Sequence, residues 1–261
     1  MNRENIEKIA QSAEDRMLLA KLWDRINTGV NRNIPTHTCF LSPRELEMCR
    51  YLFGELPGLI SLGGYDDAER KILCYLPEYL EEDTFMANDS PVACLRATFY
   101  EGDTPTHRDF LGSLMGCGIA RETVGDICVG KGQCDFFVTG EIAPYLLQNF
   151  TNAGRTKFRL IQIPLAEASI PQPEVKIIRD TLASLRLDGV VSSGFRISRA
   201  LASQAVGAGK VAVDGLPCDK PDKAVTEGCK ISLRGSGKIK LEKVNGQTKK
   251  GRISVEIHRY M

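Results

Sequence analysis

The sequence predicts an α+β chain in three parts: a mainly helical N-terminal region (1–82), a central β-α-β-β-α-β domain (83–172) and a basic C-terminal region (173–261). Three observations carry this. Apolar residues recur at helical spacing through the first 30 positions, and the middle third alternates short apolar strand-like runs with two helical runs. The charge also divides unevenly: Glu174 to Met261 hold 17 Lys/Arg against 9 Asp/Glu, while the residues before them hold 17 against 24. The formal net charge of +1 is therefore a near-cancellation between an acidic body and a basic final third. Such asymmetry points to a polyanionic partner, with nucleic acid the first candidate. Anionic lipid would call for an amphipathic Lys-rich helix or an acylation signal, and neither is present in the sequence.

At 261 residues the chain exceeds one small module, and its 43% hydrophobic and 26% charged content is that of an ordinary globular protein. No apolar run approaches the roughly 18 residues that span a bilayer. The start, MNRENIEKIAQSAEDR, is polar and acidic, unlike a signal or transit peptide, so a cytoplasmic protein without membrane association is expected. Nine cysteines occur without a CxxC pair, and His37, His107 and His258 lack a second ligand at helical or hairpin spacing. No metal site is expected, and the cysteines read as small buried hydrophobes.

Ile6, Ile9, Ala10, Ala13, Met17, Ala20, Trp23, Ile26 and Val30 form one apolar helical stripe, with Trp23 read as core packing. A second helix begins at Ser42, where Pro43 suits the first helical position and Glu45 completes a capping box. It should end near Gly54–Pro57, followed by strands LISLGGY and KILCYLP around an acidic turn. In the middle part, strands at 92–99, 126–130, 134–140 and 157–165 frame helices at 106–118 and 141–154. That order is the ferredoxin-like unit also used by RNA-recognition motifs (RRM-like), which stack bases on exposed aromatics of the sheet. Adjacent Phe136 and Phe137 point to opposite faces, so at most one of them is available for stacking.

After the linker IPQPE, the strand VKIIRD leads to two short helices, SLRLDGVVSSG and SRALASQAVGAG, the second capped by Ser198. Strands follow, with an Asp214-Gly215 turn and an expected hairpin at Asn245-Gly246.

Arg-Leu-Asp at 186–188, SRALASQAVGAGKVAVDG at 198–215 and EGCKISLRGSGK at 227–238 resemble an S4 RNA-binding domain. LSPRE at 41–45, GGYDDAERK at 63–71, HRDFLGSLMGCGIARETVGDI at 107–127 and TKKGRISV at 248–255 extend the resemblance to the bacterial YlmH group of S4-domain proteins. Two positions depart from the group's pattern: Asp214 stands where Asn is common, and GSGK at 235–238 replaces GFGR. The resemblance implies a C-terminal S4 domain whose two helices grip structured RNA. It also implies a non-catalytic role with rRNA and tRNA on the large ribosomal subunit, in quality control of stalled peptidyl-tRNA. No cofactor is implied, and a monomer is expected when free.

Phosphate contact favours cations held on rigid elements. Arg199 at the start of the second helix, Arg186 on the first and Lys210 after the second are expected on one face, with Ser198 capping beside them. Arg234, Lys238 and the cluster Lys249, Lys250 and Arg252 come from strands and would extend that face. Asp188 is read as a holder of arginine geometry, and Lys223 in the loop DKPDK as solvated surface. His107-Arg108-Asp109 suggests acid–base chemistry, but residues two apart on a helix do not share a face, so a helix start is preferred. The rival reading is an RNA-modifying enzyme with an appended S4 domain, such as a pseudouridine synthase; the small upstream domains and the missing Gly-rich cofactor loop weigh against it.

Overall fold

The apolar stripe at the start of the chain is interrupted at Ser12. In the computed structural model, which describes residues 5–172, 174–248 and 251–260, a short α1 (Asn5–Ile9) gives way to α2 (Ala13–Arg32). Ser12 starts the second helix by accepting from the Asp15 N–H at 3.1 Å. A strand unforeseen in the sequence reading follows, β1 (Thr36–Leu41), with Thr38, Phe40 and Leu41 buried. α3 (Pro43–Phe53) opens on the expected box: Glu45 N–H donates to the Ser42 hydroxyl, and Ser42 N–H donates to the Glu45 carboxylate at 2.6 Å. β2 (Leu59–Leu62) and β3 (Lys71–Tyr75) then join β1 in an antiparallel sheet of order β1-β3-β2, and α4 (Glu82–Asn88) follows.

The central elements are β4 (Val92–Thr98), α5 (His107–Gly116), β5 (Val124–Val129), β6 (Gln133–Thr139), α6 (Ala143–Asn149), the two-residue strands β7 (Asn152–Ala153) and β8 (Thr156–Lys157), and β9 (Arg159–Ile163). The strand order β5-β6-β4-β9, antiparallel throughout, is that of the split β-α-β-β-α-β unit. α6 is shorter than the expected 141–154, because Phe150 turns extended and Gly154 (φ 56°) closes the small β7–β8 hairpin.

Both faces of this sheet are covered. Phe136 packs beneath the helices against Phe110 and Phe150, with ring centroids 6.3 and 5.8 Å away. Phe137, on the other face, packs with Phe40, Leu62, Ile72 and Cys74, and the Tyr65 ring lies 5.4 Å from its own. A Cβ on Gly64 (φ 94°) would fall 2.2 Å from the Phe137 ring, so the turn closes over the sheet only with glycine. Further along that face, Asp135 is 1% exposed and bonded bidentately by Arg96 at 2.6 and 2.8 Å. Ser169 N–H also donates to Asp135, and Arg96 donates to the Glu167 carbonyl, so the 167–169 segment covers the pair. Neither phenylalanine is therefore left for base stacking. Residues on both sides of position 82 share this core, and the chain divides into two compact units, Met1–Pro171 and Gln172–Met261. Phe137→Ala is expected to cost about 3–5 kcal/mol of stability. Urea unfolding checks it; lost RNA affinity at unchanged stability would mean that the ring is a binding surface instead.

The second unit contains β10 (Val175–Leu182), α7 (Leu187–Phe195), α8 (Arg199–Gly207), β11 (Val211–Val213), β12 (Leu216–Cys218), β13 (Lys230–Leu233), β14 (Gly237–Gln247) and β15 (Ile253–Tyr260). The six strands form one antiparallel sheet of order β10-β15-β14-β13-β11-β12. Ile231, Leu233, Ile239, Leu241, Val255 and Ile257 face α7 and α8 in a single core with Leu187, Val190, Val191, Ala202 and Val206. Asp214 (φ 49°) and Gly215 (φ 84°) make the expected turn, and the Asp214 carboxylate accepts from Lys230 N–H at 2.8 Å. The hairpin expected at Asn245-Gly246 is instead an irregularity within β14, whose pairing with β15 shifts between Val244 and Gln247. Beyond Gln247, Thr248 N–H donates to the Arg252 carbonyl and Gly251 takes φ 71°. An Asn-Gly pair bulges rather than turns when the ladder continues past it.

Candidate nucleic-acid interface

The two short helices of the second unit are held in place at their first turns. Arg186 precedes α7 as its cap residue in extended conformation, rather than lying on the helix as expected. The start of α7 is pinned by the 221–225 segment: Leu187 N–H donates to the Lys223 carbonyl and Asp188 N–H to the Pro221 carbonyl. Lys223 is thus exposed, as expected, yet its backbone lies against the residues next to Arg186.

Asp188 organises the site. Its side chain is 7% exposed and accepts from Arg199 Nε and Nη2 at 3.1 and 3.2 Å and from Arg186 Nε and Nη2 at 3.3 and 3.5 Å. Burial pushes its carboxyl pKa up, but the hydrogen bonds from Arg199 and Arg186 outweigh that, and the net shift is downward. One carboxylate therefore fixes two guanidiniums, one from the residue before α7 and one from the start of α8, and each remains about half exposed, at 44% and 55% of its side chain. Fixed, exposed arginines are suited to phosphate oxygens, because the rotamer entropy is lost on folding rather than on binding.

Ser198 caps α8, its hydroxyl accepting from Leu201 N–H at 3.2 Å, so its role is to set the helix that carries Arg199. Between the helices, Arg196 stands exposed in left-handed conformation (φ 56°), donating its N–H to Ser192 and Ser193 carbonyls. Arg196 was not among the expected contacts; a basic residue in the three-residue link between two short helices was the available signal.

Lys210 follows α8, and its carbonyl accepts from Arg234 N–H at 2.9 Å, so these two exposed cations come together at the far end of that helix. Eight residues of helical rise put that end of α8 roughly 12 Å from Arg199 along the axis. Lys238 does not join this face. It pairs in register with Ser232 and alternates with Ile239, which points to the helices, so Lys238 lies on the opposite side of the sheet. Arg252 is exposed and donates Nε to the Thr181 hydroxyl at 3.1 Å and Nη2 to the Thr181 carbonyl. Lys249 and Lys250 lie outside the described residues.

The first unit has its own charged cluster, which is directed inward. Asp126 accepts from the Tyr65 hydroxyl (2.8 Å), Glu69 N–H (2.7 Å) and Arg70 N–H (3.1 Å). The Arg70 guanidinium donates to the Val124 and Phe40 carbonyls. Asp109 accepts from Thr106 N–H and hydroxyl as a cap of α5. Partial desolvation and the nearby Arg121 hold the His107 pKa below its usual value, with Asp126 acting in the opposite direction. Burial pushes the thiols of Cys49, Cys74 and Cys94 up to about 12, which suits packing rather than chemistry.

Two capped helices, packed on one face of a small sheet and presenting carboxylate-fixed arginines, define an S4-type RNA-binding protein. The S4 domain model matches residues 185–231, and the model described as "Putative RNA-binding domain in YlmH" matches residues 103–167. The chain is 36% identical over 225 residues to "Ribosome-associated protein quality control protein P2" of Bacillus subtilis (strain 168), covering 85% of this chain and 86% of that protein. It belongs to the YlmH family of S4-domain RNA-binding proteins. The solved structure of "Cell division protein ylmH from Streptococcus pneumoniae" aligns with a TM-score of 0.52 at 20% identity, over 62% of this chain and 98% of that one, a likeness of fold.

Proposed function

We propose that this protein engages structured rRNA and tRNA on the large ribosomal subunit, as a binding factor in quality control of stalled peptidyl-tRNA complexes, without a catalytic step of its own. The observation that carries the reading is the Arg186–Asp188–Arg199 arrangement, a rigid two-cation grip on the basic unit. The relative named for ribosome-associated quality control supports the setting, which is cytoplasmic. A non-catalytic role is supported by the structural use of two carboxylates in the first unit. Asp109 is spent on a helix cap and Asp126 on anchoring the 65–70 turn. The acidic first unit is repelled by bare RNA and is assigned to protein contact, or to a gap between RNA elements. Two units on one chain, a monomer when free, raise each other's effective concentration once the first has docked.

Sedimentation of tagged protein through sucrose gradients tests the ribosomal setting. Co-migration with large subunits is expected, and it should increase at least about fivefold when peptidyl-tRNA is stranded on them, as coupled docking through a second site implies. Protein that stays at the top of both gradients at low salt would return the reading to a general S4 RNA binder.

A further inference from the structure

A cleft of about 240 Å³ opens beside Arg199, walled by the end of β10, the outer side of α7 and Arg252. Polar side chains outnumber apolar ones in it: Asp180, Thr181, Ser184, Ser193, Arg199 and Arg252 share the lining with Leu182 and Ala183. We propose that this cleft seats one ribose-phosphate unit of the RNA, with the phosphate between Arg199 and Arg252 and the ribose 2′-hydroxyl donating to Asp180. The proposal rests on the reading of the α7–α8 face as the RNA surface and adds a basis for telling RNA from DNA.

The two arginines are held in the same way. Arg199 bonds Asp188 through Nε and Nη2, and Arg252 bonds Thr181 through Nε and Nη2. Each fork is thereby anchored on one edge and keeps its Nη1 amino group for an incoming anion. Asp180 would repel a phosphate placed against it, yet Arg186, Arg199 and Arg252 outnumber Asp180 and Asp188, and the Asp180 carboxylate suits a different atom. Its Oδ1 accepts from Thr181 N–H and its Oδ2 from the Ser193 hydroxyl, both at 2.7 Å, which orients it and leaves lone pairs on both oxygens. A ligand that satisfies the whole cleft carries an anion and, close by, a hydroxyl proton. A nucleotide's 2′-hydroxyl beside its 3′-phosphate provides that pair, and deoxyribose does not. The volume lies below that of drug-sized pockets, so the base stays outside and the cleft reads backbone rather than sequence.

The test uses the full chain and a fluorescent RNA hairpin, compared with the same hairpin 2′-O-methylated throughout. Methylation keeps the A-form backbone, removes the hydroxyl donor and puts a methyl group in its place. Wild type is expected to bind the unmodified hairpin about tenfold more tightly, as a charge-assisted hydrogen bond would give. Asp180→Ala should bring the two affinities together, and Arg252→Ala should weaken both by a similar factor. Thermal unfolding of each variant separates a lost contact from a lost fold, and Asp180→Asn, which keeps the turn bonds, should show an intermediate preference. Equal binding of the two hairpins by wild type, or an unaltered preference in Asp180→Ala, overturns the cleft assignment while leaving RNA binding intact. Absence of binding to either hairpin overturns the RNA surface itself.

Discussion

A fragment covering residues 172–261 is expected to fold by itself and to bind structured RNA within roughly threefold of the full chain, whereas residues 1–171 should bind about a hundredfold more weakly. The first expectation follows from packing: the core beneath α7 and α8 draws every buried residue from within Ile178–Ile257. β10 and β15 pair over eight consecutive positions, so the strand nearest the linker is zipped to the last strand of the chain. The second follows from charge, since the basic residues from Glu174 onward exceed the acidic ones by eight. With about five phosphate contacts, the log of the affinity should fall against the log of salt with a slope of roughly −3.5 to −4.5. Anisotropy titrations of both fragments over a salt series check this. Equal affinity in the 1–171 fragment would shift the main RNA surface to the first unit.

The S4 unit was legible because its signals are local. Ser198 and Arg199 sit at a capped helix start, and Asp214-Gly215 has a turn conformation that few other residue pairs adopt. The β-α-β-β-α-β order was legible for the same reason. What a local reading missed were features set by distant partners. β1 has no strong strand signal of its own; it forms because β3 offers it a paired edge and Phe40 finds Phe137 across the interior. The closed sheet face could not be read from Phe136-Phe137 alternation, which says that the rings diverge but not what covers each. Asn245-Gly246 has the composition of a hairpin turn, yet Gln247 still finds Ile253 across the ladder, and pairing overrides turn propensity. Lys238 was grouped with the helical cations on charge alone; the two-residue period of β14 puts it on the other side of the sheet. The motif residues Tyr65, Arg70 and Asp126 proved to hold a turn against a strand, a structural reason for a pattern that sequence alone leaves open to a catalytic reading.

Asp188→Asn is expected to weaken RNA binding about tenfold, although it removes a negative charge from a surface that binds a polyanion. A net-charge argument gives the opposite sign, so the direction of the change decides between charge and geometry. Asp188 takes four hydrogen bonds from Arg186 and Arg199. A neutral amide offers one acceptor oxygen in place of two and no charge, so at least one guanidinium regains its rotamer freedom and must lose it again on binding. At about 0.5–1.5 kcal/mol for each such side chain, two arginines account for an effect of about 5- to 160-fold, within which tenfold lies. Arg199→Glu is a poorer probe, because it would set a second carboxylate against the buried Asp188 and unsettle the fold. The pH dependence adds an independent readout. The folded pKa of Asp188 is lowered, so its ionised form stabilises the native unit at pH values above the ordinary carboxylate pKa of about 4. That stabilisation fades as the pH falls through the folded value. Wild type should therefore lose stability on acidification more steeply than Asp188→Asn, while affinity for RNA stays flat from roughly pH 5 to 8 in both. Anisotropy across that range, and thermal unfolding from neutral pH down to below about pH 4, measure the two effects separately. Tighter RNA binding by Asp188→Asn, with an intact fold, would mean that the carboxylate acts only as an opposing charge and that the arginines need no support.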